Sequence, residues 1–226
     1  MSAYAQRFLL RARRTRWLNV VVVNLRFLIG FAFVPSGLKK LLYQPFTDPQ
    51  SRGPFHEFLH AFYATGPFYQ FVGAMQLAAA LLLFTQRFAT AGALLAMPTL
   101  TTILVLCWST GVYPTAIVVT LMFLATAGLV LWDLEKWRGI FGSDRVEMQL
   151  RVAALSPVID LKLWQGCGLA ILALYLAVCA LTGEIYRPRG LKPDALAFYI
   201  FPTMALLPIV TFIIDEARQR RSRAGR

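Results

Sequence analysis

The chain has 226 residues, of which 58% are hydrophobic and only 15% are charged. Soluble domains carry about 25% charged residues, so this composition excludes a soluble globular domain and a disordered chain. The net charge of +12 comes from cations that lie in loops and tails between apolar segments. This distribution indicates a protein of the lipid bilayer that contacts headgroups, and it does not favour a nucleic-acid-binding protein.

Six apolar segments are long enough to cross a bilayer as helices, which takes about 20 residues each. Together they predict an all-α integral membrane protein: a four-helix bundle within 18–135, followed by two further transmembrane helices within 163–214. The first segment lacks the cleavage site of a signal peptide, so we expect it to be a retained anchor. The segments are 18–38, 68–85, 88–108, 112–132, 163–182 and 196–214.

The stretches between the predicted spans indicate the orientation of the chain. Lys and Arg concentrate in the head 1–17, the loop 136–162 and the tail 215–226, and fewer lie in the loops 39–67 and 183–195. In membrane proteins the excess of Lys and Arg marks the cytoplasmic side. We therefore expect both termini to be cytoplasmic. The same holds for the loop 136–162, whose mixed charges favour a short surface helix.

Arg26 is the one charged residue within the predicted spans, eight residues into the first of them. At 1.5 Å per residue it lies about 12 Å deep, where a charge is costly and by default marks a functional site. We favour a structural role, in which Arg26 either extends to the cytoplasmic membrane surface or holds the bundle together through hydrogen bonds. Gln76, in the middle of the second span, is the first-ranked polar partner, and Asp133, at the end of the fourth span, is the second.

Two adjacent lysines follow a small-residue pair at the outer end of the first span. Lys39 and Lys40 come shortly after Ser36 and Gly37, and Gly37 suits a close approach of two helices. The lysines either anchor the helix end among headgroups, which we favour, or form an anion or headgroup site at the outer mouth of the bundle. Two more pairs of small residues have the spacing of helix contacts: Gly92 with Ala96, and Gly166 with Ala170.

The loop 39–67 contains an amphipathic segment with both histidines of the chain. Residues 53–65 place four apolar side chains on one helical face, which predicts a helix lying at the membrane interface. His56, Glu57 and His60 form the pattern H-E-x-x-H, whose histidines can share a Zn²⁺ with the carboxylate as base. Three interpretations are open. A metallohydrolase would need both histidines, Glu57 and a third metal ligand, whereas a non-catalytic metal site would need both histidines but not Glu57. In the third, which we favour, the helix packs at the interface and binds no metal. The apolar side chains are Phe55, Phe58, Leu59 and Phe62, and the candidate third ligands are Asp48, Glu184 and Asp194.

Short motifs in the first four spans are similar to those of a known family. Arg26-Phe-Leu-Ile-Gly30, followed by Pro35-Ser36-Gly37 and Lys40, resembles the R-x-x-x-G…G-x-x-K opening of the DoxX-like family of small membrane proteins. The segments 72–76, 81–87 and 91–95 resemble its second helix, the basic turn after that helix and the next helix. Many members carry Glu where this chain has Gln76, which argues against a proton relay.

The resemblance extends over 18–135 and implies a four-helix bundle in the bacterial inner membrane. It makes Arg26, Gly37 and Lys40 signature positions. Members of the family serve as a subunit of a thiosulfate:quinone oxidoreductase, associate with redox-defence enzymes, or act as chaperone-like partners of other membrane proteins.

Together these features predict a non-catalytic accessory subunit or assembly factor of a membrane complex, redox or respiratory, bound to other membrane protein subunits or to further copies of itself. The alternative is a quinone- or lipid-binding oxidoreductase component, in which Arg26 and Gln76 polarise a headgroup. A small transporter and an H-E-x-x-H metallohydrolase are weaker alternatives. A quinone and a zinc ion are therefore the two cofactors that these residues would suit.

Overall fold

The computed structural model describes residues 12–133, 159–185 and 196–224, with the side chains of 202–221 in the last segment. These parts of the chain are helical and contain no strand. The predicted surface helix of the loop 136–162 and most of the head 1–17 lie outside the described residues. The helices are α1 (Arg16–Leu41), α2 (Pro54–Ala64), α3 (Pro67–Phe84), α4 (Ala89–Ser109), α5 (Tyr113–Trp132), α6 (Leu161–Thr182) and α7 (Leu196–Ala224).

Five of the described helices are long and apolar enough to cross a membrane: α1, α3, α4, α5 and α6. The prediction of an all-α, multi-pass membrane protein is therefore confirmed. At the position of the sixth predicted span the structure has α7, a helix of 29 residues. The passage of α7 across a bilayer stays a prediction.

The first transmembrane helix, α1, packs most extensively against α3, and glycines bring the two backbones together. A Cβ atom added to Gly73 would lie 2.6 Å from Cβ of Lys40 and 2.8 Å from the carbonyl oxygen of Gly37. A Cβ atom added to Gly37 would lie 3.0 Å from the carbonyl oxygen of Gly73. Lipid provides little hydrophobic drive for helix association, so such close packing supplies much of the attraction. Gly37 therefore lies where the sequence places it, at a helix contact.

Short turns join α3, α4 and α5, which pack in succession as antiparallel neighbours. Gly92 contacts α3 closely, since an added Cβ atom would lie 2.9 Å from the carbonyl oxygen of Ala79. Among the described residues the other predicted small-residue contact is wrong: no described atom lies within 4 Å of a Cβ atom added to Gly166, and Ala170 is exposed. Gly168 makes the contact of α6 instead, with a Cβ position 2.5 Å from the ring of Phe27.

Because neighbouring helices run in opposite directions, α1, α4 and α6 begin at the same end of the molecule at which α3 and α5 end. This end is here called the Arg26 end. The opposite end, called the Lys40 end, carries the amphipathic helix α2, whose formation is confirmed. Leu59 is buried, and the ring of Phe62 lies 5.0 Å from the ring of Tyr69 in α3. Whether α2 lies at a membrane interface stays a prediction.

Candidate functional site

Within the described residues, polar side chains are buried in separate groups, and two of these groups lie along α1 toward its opposite ends. The first, the Arg26 cluster, consists of Arg26, Gln86, Thr90 and Asp133. Arg26 is 5% exposed; its Nη2 donates to Oδ2 of Asp133 at 2.8 Å and its Nη1 to Oε1 of Gln86 at 3.1 Å. The hydroxyl of Thr90 donates to the same Oδ2 at 2.7 Å. One carboxylate and one guanidinium thus join α1, the α3–α4 turn, α4 and the end of α5.

The predicted order of partners for Arg26 is therefore wrong. Asp133, ranked second from the sequence, forms the ion pair, and Gln76, ranked first, contacts other residues. The reason is geometric. Asp133 follows the last residue of α5, and Gln86 and Thr90 flank the turn between α3 and α4, so all three lie at the Arg26 end.

A second arginine reaches the same carboxylate from outside the bundle. Nη2 of Arg13 lies 4.0 Å from Oδ1 of Asp133 and donates to the carbonyl oxygen of Trp132, the last residue of α5. Helix ends leave carbonyl groups unpaired, and cations are favourable beside them because of the helix dipole. The Arg26 cluster therefore fastens the end of α5 to α1, which supports the structural role predicted for Arg26.

The second group, the Lys40 cluster, consists of Ser36, Lys40 and Gln76, with the rings of Phe46 and Tyr69. Nζ of Lys40 donates to Oγ of Ser36 at 2.7 Å, and Oγ of Ser36 donates to Oε1 of Gln76 at 3.2 Å. Lys40 is 6% exposed and Gln76 is 1% exposed. Two of the predicted site residues, Lys40 and Gln76, are thus brought together through a serine that the sequence had not singled out for this role.

The direction of these hydrogen bonds orients the amide of Gln76. An ammonium group can only donate, so Ser36 accepts from Lys40 and has its own hydrogen to give. Gln76 therefore presents its oxygen to Ser36 and turns its NH₂ group away. Among the residues that the structure describes, none accepts a hydrogen bond from this buried Nε2. A buried donor without a partner costs about 1–3 kcal/mol, which makes this amide the group in the cluster most in need of an acceptor.

Aromatic rings enclose the ammonium of Lys40. Its Nζ lies 4.4 Å from the ring centre of Phe46 and 5.9 Å from that of Tyr69. Tyr69 is fully buried and donates its hydroxyl to the carbonyl oxygen of Gln44 at 2.9 Å. Cation–π contacts of this kind stabilise a charge that is removed from water. The loop after α1 therefore covers Lys40 with Phe46 and is itself held to α3 by Tyr69.

The two histidines of α2 hold the other part of that loop. Nδ1 of His56 is hydrogen-bonded to Oγ1 of Thr47 at 2.6 Å, and Nε2 of His60 to the carbonyl oxygen of Ser51 at 3.3 Å. The spacing of four residues places both imidazoles on the face of α2 that meets the loop. Each ring has its own partner, so the arrangement positions the loop that carries Phe46.

No group of three or more His, Cys, Asp or Glu side chains that could hold a metal ion occurs within residues 12–133, 159–185 and 196–224. Of the candidate third ligands, Asp48 uses Oδ1 to accept from the backbone N–H of Gln50 at 2.8 Å. Asp194 lies outside the described residues. Binding of a zinc ion by His56 and His60 therefore stays a prediction, which a measurement of the metal content of the protein would test.

A third polar group, which was not predicted from the sequence, joins α1, α6 and α7 at the Arg26 end. Asp215 is fully buried and accepts from Nη2 of Arg16 at 3.1 Å and from the backbone N–H of Asp160 at 3.0 Å. Arg16 also pairs with Glu216, and Arg218 donates to Oδ2 of Asp160 at 2.8 Å. The sequence contained one indication of these ion pairs. The acids lie at ends of predicted spans that are on the same side of the membrane as the arginine-rich head.

Asp160 also caps the start of α6. Burial would raise the pKa of Asp160, but the hydrogen bonds from the backbone N–H of Leu163 and from Arg218, together with the charge of Arg218, outweigh it. The pKa of Asp160 therefore lies below its usual value. This carboxylate stays ionised, and the contact between α6 and α7 persists at neutral pH.

Comparison with protein-family models, with characterised proteins and with solved structures gives no match. The resemblance to the DoxX-like family therefore stays a prediction based on the motifs around Arg26, Gly37 and Lys40.

Proposed function

We propose that this chain is an accessory subunit of a redox complex in the bacterial inner membrane, and that it holds a lipid-soluble ligand at the Lys40 cluster. The ligand carries an oxygen acceptor, as a quinone ring or a lipid headgroup does. This role joins the two leading predictions from the sequence, with one change: Gln76 acts with Lys40 and not with Arg26.

The observation that supports this proposal is the unpartnered amide nitrogen of Gln76. In the Arg26 cluster the charged groups pair with each other and hold helices together, since Asp133 accepts from both Arg26 and Thr90. Nε of Arg26 is also buried without a described acceptor, but its guanidinium is already paired with Asp133. In the Lys40 cluster the chain of hydrogen bonds instead ends on the two N–H groups of the Gln76 amide, which have no described acceptor. An incoming carbonyl or phosphate oxygen would satisfy them and recover the free energy that burial costs.

The position of the cluster suits a ligand that partitions into lipid. Gln76 lies near the middle of α3, which is a candidate membrane span, and Lys40 lies at the end of α1. Phe46 and Tyr69 supply flat apolar surface next to the polar groups. A few placed polar groups within an apolar surrounding are typical of small-molecule sites.

The test is purification of the full chain in mild detergent, followed by mass spectrometry of the quinones and lipids that remain bound. We expect Gln76→Leu to lose the bound ligand, because the side chain keeps its approximate size and loses its donors. Gln70→Leu, on the same helix, is the matched control, since the amide of Gln70 already donates to the carbonyl oxygen of Leu41 at 3.1 Å.

A second variant separates ligand binding from folding. Gln76→Glu keeps an acceptor for Ser36, which also accepts from Lys40, so we expect the fold to be preserved. As a carboxylate it has no donor for a ligand. We expect Gln76→Glu to melt like the wild type and still to lose the ligand. Retention of the same ligand by both variants would show that Gln76 is structural. A stoichiometric protein partner without any quinone or specific lipid would favour an assembly factor.

A further inference from the structure

The Arg26 end carries a surface of exposed cations whose neighbouring acids are already used inside the chain. The four acidic residues that the structure describes at this end each accept from an arginine: Asp133, Asp160, Asp215 and Glu216. Arg16 and Arg26 lie inward and pair with Asp215, Glu216 and Asp133, whereas Asp160 pairs with Arg218. Five other cations at this end form what we call the basic surface, and all of them are exposed: Arg14, Lys162, Arg218, Arg220 and Arg221.

Tertiary contacts bring these five cations together from three helices. Arg14 lies just before α1, Lys162 lies in the first turn of α6, and the other three follow Asp215 in α7. The contacts of Asp215 with Arg16 and with the backbone of Asp160 hold the three helices side by side. The basic surface therefore depends on the tertiary fold, which brings the cations together, as well as on the number of cations in the sequence.

The location of the basic surface indicates that it contacts lipid headgroups. The start of α1, α4 and α6 and the end of α3 and α5, all candidate spans, lie at this end, so it faces the headgroup region of one leaflet. Trp17, the second residue of α1, is 66% exposed, and exposed tryptophan is typical of the boundary between membrane and water. Arg218 and Arg221 lie about 5 and 9 Å along the helix axis beyond Asp215.

We propose that the basic surface binds the phosphate groups of anionic phospholipids in that leaflet. Each cation near a membrane surface strengthens attraction to anionic lipid about fivefold, and salt weakens the effect. Arg220 and Arg218 keep their local carboxylate contacts, but both side chains are largely exposed and can donate to a phosphate as well. The occupant is an anionic lipid surface and not an acidic protein, because the surface lies at the ends of the spans.

The experiment measures binding of phosphatidylglycerol and phosphatidylcholine to the detergent-purified full chain by native mass spectrometry. We expect the wild type to prefer phosphatidylglycerol by about tenfold or more, and the preference to decrease as salt is raised. The variant Lys162→Gln/Arg220→Gln/Arg221→Gln should show a preference several-fold smaller than that of the wild type, because three of the five cations are removed. The control Lys39→Gln/Arg52→Gln removes cations at the Lys40 end and should keep the preference.

The triple variant leaves Arg16 and Arg218 in place, so its melting temperature should match that of the wild type. If the temperature falls, the double variant Arg14→Gln/Arg221→Gln, which touches no described ion pair, provides the same comparison. Equal binding of the two lipids by the wild type would overturn the proposal, as would an unchanged preference in the variants. The first result would also leave an acidic protein as the occupant of the surface.

Discussion

Replacement of Arg26 by leucine is the most informative perturbation of the bundle. The change keeps the apolar part of the side chain and removes the guanidinium that donates to Asp133 and Gln86. Asp133 would then be a buried carboxylate whose remaining contacts include Thr90 and the more distant Arg13. The loss of unfolding free energy therefore depends mainly on the buried carboxylate of Asp133, which has lost its ion-pair partner Arg26.

Breaking a buried ion pair by removing one partner typically costs about 3–5 kcal/mol. Arg13 lies 4.0 Å from Oδ1 of Asp133 and compensates part of the loss, so we expect a decrease in unfolding free energy of about 3 kcal/mol. Arg26→Lys should recover only part of it, because an ammonium cannot reach Asp133 and Gln86 together as a planar fork does. Insertion into the membrane should be unaffected, since leucine is more apolar than arginine.

The assay is reversible unfolding in mixed micelles for Arg26→Leu, Asp133→Leu and the double variant. The double variant should be more stable than either single variant, because it leaves no unpaired charge in the bundle. A loss of unfolding free energy below about 0.5 kcal/mol in a single variant, the range of ordinary surface substitutions, would show that the ion pair does not stabilise the bundle. Arg26 would then extend to the membrane surface without holding the helices together.

Three further predictions concern packing, the loop after α1 and orientation. Gly73→Ala should destabilise the bundle and loosen the contact of α1 with α3, because its Cβ atom would lie 2.7 Å from the backbone nitrogen of Leu41. The measurement is a lower melting temperature than that of the control Gly128→Ala, whose added Cβ atom has no described neighbour within 4 Å. His56→Ala should increase proteolysis within residues 43–53 by freeing Thr47, with elemental analysis of untagged protein showing much less than one equivalent of Zn²⁺; one equivalent that the variant loses would instead establish a metal site. Reporter fusions within 136–162 and at the C-terminus should both indicate the cytoplasm, and a periplasmic result at either position would contradict the predicted orientation.

Properties that are local to a segment were accessible from the sequence. The apolar length that makes a membrane helix is contained in each stretch, and so is the spacing that makes residues 53–65 an amphipathic helix. The helices therefore lie close to where composition places them: α3 is Pro67–Phe84 against a predicted 68–85, and α5 is Tyr113–Trp132 against a predicted 112–132. Gly37 could also be assigned to a helix contact, because only a glycine permits so close an approach of two backbones.

Properties that depend on how helices are rotated against one another were decided by the tertiary structure alone. A membrane helix is apolar on all sides, so hydrophobicity does not distinguish the face toward lipid from the face toward protein. For this reason Gly166 and Gly168 could not be ranked from the sequence, and the partner of Arg26, 107 positions away, was ranked second. The orientation of the amide of Gln76 depends on Ser36 and Lys40 across the contact of α1 with α3, and it exists only once these helices have packed.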